Sequence, residues 1–222
     1  MTLTFIDLYN ECAGQPWSMF DAEAESQDDF ETALKISINK AISYLWNFQP
    51  WKFKIQTMIL KTKVGKESYG VPDGNIIKKT INGKQYFGVR YSGKNLEYAD
   101  NFEELEAKEG EPEYFYIDGE NMYVYPIPDN IYKIEIRYYL LPYGLNEDGE
   151  NIYELTNETD YINIPEKYEV LFKNCLISLA MMYAIAEETD ENYSGYKKQY
   201  EDALAILIKF CKNGIFDRNI VW

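Results

Sequence analysis

The hydrophobic pattern of this chain has a helical period at both ends and a strand period in the middle. Apolar residues keep helical spacing from Phe30 to Trp46, alternate with polar residues from Trp51 onward, and return to helical spacing after Pro165. Helices at the two chain ends bury their apolar faces most readily against each other. We therefore predict an α+β fold, mainly an α-helical bundle built from both chain ends, with an inserted antiparallel β domain.

Proline, glycine and charge signals place the predicted boundaries of these parts. The predicted parts are N-terminal bundle helices in residues 1–50, a β-rich insertion in 51–142, an acidic connecting loop in 143–165, C-terminal bundle helices in 166–213 and a tail in 214–222.

Two turn signals divide the first half of the β insertion. Asp73-Gly74 and Asn82-Gly83 are typical of tight turns, so the segment from Trp51 to Val89 is predicted to form antiparallel strands joined by such turns.

The second half of the insertion is rich in tyrosine, with seven in residues 111–142. Alternation predicts strands over residues 114–117, 122–125 and 132–139, which together would form a β-meander. Tyrosine favours strands, so half-buried positions in a sheet or a subunit interface account for the high tyrosine content without a bound ligand. A carbohydrate-binding face built on Tyr114 to Tyr139 is the alternative.

Charge limits the possible partners. With 37 acidic and 22 basic residues the net charge is −15, which opposes a tight grip on a nucleic-acid backbone but suits a channel wall along which DNA slides. The β insertion is bipolar, because residues 48–90 hold nine basic and two acidic side chains, whereas 97–120 hold ten acidic residues and only Lys108. Opposite patches suit a head-to-tail subunit interface, and a solvated surface is the alternative.

Catalytic and metal chemistry find little support in the sequence. Histidine is absent, which removes the commonest general base and metal ligand. The three cysteines, Cys12, Cys175 and Cys211, are far apart in apolar segments and are predicted to be reduced core residues. We predict no enzyme activity and no catalytic, metal-binding or cofactor-binding residues.

Acidic pairs keep one enzymatic alternative open. Asp118 with Glu120, or Asp148 with Glu150, could serve a small carboxylate-based hydrolase. No membrane partner is predicted, because the most apolar run, residues 171–186, is interrupted by Lys173 and is short for a membrane span.

Five segments in order resemble the head-to-tail adaptor family of short-tailed bacteriophages, which includes the tail tubular protein A and tail accessory factor adaptors. The segments are "NKAISYLWNFQPWKFKIQTMIL", "SYGVPDGNIIKKTINGKQY", "GEPEYFYIDGENMYVYPIPDNIYKIEIRYYLLP", "NIPEKYEVLFKNCLISLAMMY" and "YKKQYEDALAIL". The resemblance implies a structural ring, commonly of twelve subunits, that is assembled in the host cytoplasm and lies at the head-tail junction of the virion. It implies contacts with the portal protein and the next tail protein, and passage of double-stranded DNA through an acidic lumen without specific binding.

Two residue sets are predicted to make these contacts. The resemblance favours portal binding by the apolar end of the chain through Ile215, Phe216, Ile220, Val221 and Trp222, and folding of this tail back onto its own helical bundle is the alternative. The bipolar charge pattern is expected to form the subunit interface through Lys78, Lys79, Lys84, Glu103, Glu104 and Glu106.

Overall fold

The computed structural model of the chain describes residues 3–14, 27–100, 108–185 and 191–212. The chain divides into two compact units. The first, the helical unit, combines Met1–Phe53 with Pro142–Trp222, and the second, the β unit, is Lys54–Leu141. The predicted α+β class is confirmed.

Within the described residues the helical unit contains four helices, two from each end of the chain. They are α1 (Phe5–Ala13), α2 (Gln27–Asn47), α3 (Glu166–Ala184) and α4 (Glu191–Lys212). Helix α3 packs against the other three, and its buried residues include Phe172, which is fully buried. The helical periodicity at both chain ends thus builds one common core.

Helix α1 is fixed at its start and tied to α3. Thr4 and Asp7 form a reciprocal capping box, in which the Asp7 N–H donates to the Thr4 hydroxyl and the Thr4 N–H donates to the Asp7 carboxylate. Lys173 of α3 pairs with Glu11 of α1.

The strand predicted to begin at Trp51 begins four residues later. Lys52–Lys54 form a 3-10 turn, and the first strand is Ile55–Lys61. Trp51 and Phe53 stack with ring centroids 5.5 Å apart in the helical unit, and the Trp51 indole N–H donates to the Leu45 carbonyl at 2.7 Å. Spacing by two residues fits a tight turn as well as a strand when both rings are buried, which explains the error.

The segment predicted as an acidic loop is more regular than expected. It holds a small three-stranded sheet, with β14 (Gly144–Leu145) between β15 (Asn151–Ile152) and β16 (Tyr161–Ile162). A bridge from Thr4 to Tyr161 connects it to the start of α1.

The β unit contains thirteen strands in the described residues. They are β1 (Ile55–Lys61), β2 (Ser68–Gly70), β3 (Gly74–Ile76), β4 (Lys78–Ile81), β5 (Lys84–Phe87), β6 (Val89–Tyr91), β7 (Lys94–Asn95), β8 (Glu97–Tyr98), β9 (Glu109–Gly110), β10 (Tyr114–Asp118), β11 (Asn121–Tyr125), β12 (Ile127–Pro128) and β13 (Lys133–Leu140).

Two sheets of this unit share one core. A five-stranded sheet has β13 between β1 on one side and β3 and β6 on the other, with β7 beyond β6; a four-stranded sheet has the order β2-β11-β10-β8. Residues of both sheets are buried together, including Ile134 and Ile136 from β13, Phe115 from β10, and Met122 and Val124 from β11. The alternation of these strands therefore buries one face of each sheet.

The predicted β-meander is wrong in its third strand. The hairpin of β10 and β11 forms with Tyr116 opposite Tyr123, but β13 belongs to the other sheet and pairs with β1. Pro126 and Pro128 lack the N–H groups that a direct third strand needs. Strand β12, which includes Pro128, instead pairs in parallel with β9.

The prediction that Asp73-Gly74 joins two paired strands is also wrong, because β2 pairs with β11 whereas β3 pairs with β13. A Cβ atom at Gly74 would lie 2.5 Å from the Tyr139 carbonyl oxygen, so glycine is needed there for close strand approach.

Candidate assembly surfaces

An exposed hairpin carries the lysines that the sequence assigned to the subunit interface. Strands β4 and β5 pair only with each other among the described strands, and we call residues 78–87 the arm. Its turn residues, Asn82 and Gly83, have φ of 51° and 80°, which suit a type I′ turn. The tight turn predicted at Asn82-Gly83 is confirmed.

The arm leaves the five-stranded sheet at Arg137 of β13. The Ile77 N–H donates to the Arg137 carbonyl at 3.0 Å, and the Arg137 N–H donates to the Gly88 carbonyl at 2.7 Å. On either side of this point β13 pairs with β3 and with β6. A Cβ atom at Gly88 would lie 2.9 Å from the Arg137 carbonyl oxygen, so the base of the arm requires glycine.

The register of the arm sorts its side chains onto two faces. Lys79 lies opposite Tyr86 and Ile81 lies opposite Lys84, which places these four on one face. Every residue from 78 to 85 is exposed, and Ile81 at the end of the arm is 43% exposed. This face is therefore a basic surface with an apolar end.

Lys84 has an acidic partner within its own chain. Its Nζ lies 2.7 Å from Oε1 of Glu97 on β8, and both side chains are more than half exposed. The hydrogen bond to Glu97 raises the pKa of Lys84 above its usual value. An exposed pair of this kind contributes little to stability, so it leaves Lys84 able to exchange partners.

Three half-buried tyrosines lie on the outer face of the four-stranded sheet. Tyr114, Tyr116 and Tyr123 alternate with the buried core residues of β10 and β11, and we call them the tyrosine face. The rings of Tyr116 and Tyr123 are 6.0 Å apart. The exposed side chains of Asp118 and Glu120 lie at the end of this hairpin, so the face has an acidic border.

The structure brings together only part of the predicted residue sets. Lys78, Lys79 and Lys84 lie on the arm, but Lys78 falls on the opposite face, across from Phe87. The remaining predicted interface and portal-binding residues lie outside the described part of the chain, namely Glu103, Glu104, Glu106, Ile215, Phe216, Ile220, Val221 and Trp222.

The sequence reasoning missed Ile81 and Tyr86 as members of the arm surface. The signal was present, because an Asn-Gly turn fixes the hairpin register and so places residues 79, 81, 84 and 86 on one face.

The acidic pairs of the hydrolase alternative are exposed. Asp118 ends β10 and Glu120 lies in the turn that follows it, and Asp148 and Glu150 belong to the helical unit. Within the described ranges no group of three or more acidic or cysteine side chains is placed to hold a metal ion. The three cysteines are buried and free, as predicted. Of the helices that the structure describes, none has the length and apolar character to cross a membrane.

The described residues thus combine a helical unit with an inserted β unit that carries an exposed basic arm and an acid-bordered aromatic face. The sequence model of the family described as SU10 adaptor protein matches residues 15–217, and this chain belongs to that family, a family of phage head-tail adaptors. A search of curated proteins found no match. Membership implies a structural component of the virion that interacts with phage portal and tail proteins.

Proposed function

We propose that the protein forms a ring that docks on the phage portal and links it to the tail, in the manner of the tail tubular protein A and tail accessory factor adaptors. The observation that carries this proposal is the family match, which covers residues 15–217 and therefore both compact units.

Ring formation is supported by the presence of two unlike surfaces on one subunit. The basic arm and an acidic surface can each meet the other on a neighbouring copy, and such heterologous contacts close into rings when the rotation permits. Lys78, Lys79 and Lys84 contribute the basic side, and Glu103, Glu104 and Glu106 the acidic side. The resemblance favours twelve subunits.

Portal binding is assigned to the end of the chain. Ile215, Phe216, Ile220, Val221 and Trp222 form an apolar sequence in which Phe216 and Trp222 act as aromatic anchors. The other side of the ring meets the next tail protein.

Passage of DNA is supported by the net charge of −15. An acidic lumen repels phosphates, so the genome moves through the ring without binding to it.

Native mass spectrometry of the protein alone and mixed with its portal protein tests the proposal. We expect masses at a fixed multiple of the 26.1 kDa chain, and a complex with the portal, with assembly weakened by salt because rim ion pairs are screened over about 8 Å at physiological ionic strength. A monomer that ignores the portal at every salt concentration would contradict it. Turnover of a saccharide that is lost in Asp118→Asn would favour the hydrolase instead.

A further inference from the structure

We propose that the arm of one subunit docks on the tyrosine face of the next subunit. This inference rests on the proposed ring and deepens it by naming a receiving surface on the four-stranded sheet, in addition to the acidic residues 103–106 of the proposed interface.

Charge complementarity favours a second copy of this chain as the occupant. The arm, residues 78–87, has three lysines and no acidic residue, whereas residues 109–123 have five carboxylates and no lysine or arginine. Oppositely charged surfaces steer association and fix its orientation. Each copy therefore carries both halves of the contact.

The chemistry of the two surfaces also agrees. Ammonium groups bind favourably over aromatic rings, and this chain already makes such contacts, with Lys40 Nζ 4.3 Å from the centre of the Tyr183 ring. On the arm, Lys79 and Lys84 flank Ile81, so two cations and one aliphatic side chain can cover the rings of Tyr116 and Tyr123. The carboxylates of Asp118 and Glu120 then face the lysines.

The contact is heterologous because arm and face belong to different sheets of the β unit. A subunit whose face is occupied still presents a free arm to the next subunit, which is the arrangement that propagates into a ring.

Cross-linking between two single-cysteine variants tests the contact directly. Ile81→Cys places a thiol at the end of the arm, and Asn121→Cys places one at the exposed end of β11, opposite Asp118. The native thiols Cys12 and Cys175 react poorly with the maleimide, because burial raises the pKa of each to about 12 and keeps it protonated. Each variant carries one of the two introduced thiols, so a short bis-maleimide can join positions 81 and 121 only between two subunits. Such a product is called an 81–121 cross-link.

We expect cross-linked dimers from the mixture, and none from either variant alone or from Ile81→Cys mixed with Lys94→Cys on β7. Exchanging the charges of one lysine and one carboxylate provides an independent test. Lys79→Glu and Glu120→Lys should each weaken assembly about tenfold, and the double variant should recover most of that loss. Lys94→Glu, an exposed lysine in the same unit, is the matched control.

The outcomes separate this inference from the proposed function. Rings that bind the portal without 81–121 cross-links, or whose assembly is indifferent to Lys79→Glu, would overturn the arm contact and leave the adaptor ring standing. Cross-links from the arm to the tail protein would overturn it as well. A wild-type protein that neither assembles nor binds the portal would remove the proposed function itself.

Discussion

The side chain of Asn39 pairs with the backbone of Leu155 in both directions. Its Nδ2 donates to the Leu155 carbonyl at 2.9 Å, and the Leu155 N–H donates to its Oδ1, also at 2.9 Å. The Tyr143 hydroxyl donates to the same Oδ1 at 3.2 Å. One carboxamide on α2 thus satisfies the backbone of a segment 116 residues away.

Replacing Asn39 with alanine should lower the free energy of unfolding by about 1–3 kcal/mol, because two backbone groups lose their partners. Asn39→Asp should be destabilising too, since a carboxylate cannot donate to the Leu155 carbonyl. Urea unfolding measures both. Asn47→Ala is the control, because the exposed Asn47 on the same helix donates to the Ser43 carbonyl four residues before it, which is a local contact. Equal effects at positions 39 and 47 would show that the Leu155 pairing contributes nothing.

Gly74→Ala should destabilise the β unit by about 1–3 kcal/mol through overpacking. The added methyl group would lie 2.3 Å from the Tyr138 ring and 2.5 Å from the Tyr139 carbonyl oxygen, so β3 and β13 must separate. Gly70→Ala is a matched change with open space around the new methyl group. Thermal melts of the two variants that coincide would contradict the close approach.

Acid should weaken the turn around Asp160. Burial alone raises the pKa of this carboxyl group, but hydrogen bonds from Asn157 and Thr156 outweigh burial and hold the pKa below its usual value. The stabilisation is therefore fully present above the unfolded-state pKa of about 3.9 and is lost as the pH falls through the lower folded-state pKa.

The free energies of unfolding of wild type and Asp160→Asn should accordingly differ most near pH 7 and converge below about pH 4. Asp148→Asn, an exposed position in the same segment, supplies the baseline. A difference between wild type and Asp160→Asn that stays constant across this range would mean that the charge of Asp160 is not what its partners stabilise.

Removing residues 215–222 should abolish portal binding while leaving the melting temperature nearly unchanged. Aromatic side chains buried at an interface can contribute roughly 2 kcal/mol or more each, and Phe216 and Trp222 are the proposed anchors. Portal pull-down and circular dichroism of the truncated chain measure the two effects, with Phe216→Ala and Trp222→Ala as single-site versions. A truncated chain that unfolds would make the segment part of the internal packing, and one that binds as wild type would remove it from the portal contact.

The parts of the fold that the sequence predicted are those with local causes. Helical periodicity located α2 and α4, and the Asn82-Gly83 turn located the arm, because each depends on residues that are neighbours in the chain. The alternation around Ile134 showed that β13 buries one face but carried no information on its partner. Strand pairing is non-local, so the placement of β13 beside β1 required the three-dimensional structure.

The candidate site shows the same limit. The lysines of the arm were identified from charge, but their division between two faces and the pairing of Lys84 with Glu97 depend on the register and on a contact between two sheets. The abundance of tyrosine was visible in the sequence, but which tyrosines share a face was not. Tyr116 and Tyr123 lie in the four-stranded sheet, whereas the tyrosines of β13 lie in the five-stranded sheet.

Electron microscopy of this chain mixed with the portal protein of the same phage is the most direct test of the proposed ring. We expect portal particles that gain a second ring at one end, with a central opening in line with the portal channel. Portal particles that stay unchanged at saturating concentrations of a folded chain, or a chain that binds as single scattered copies without forming a ring, would contradict it.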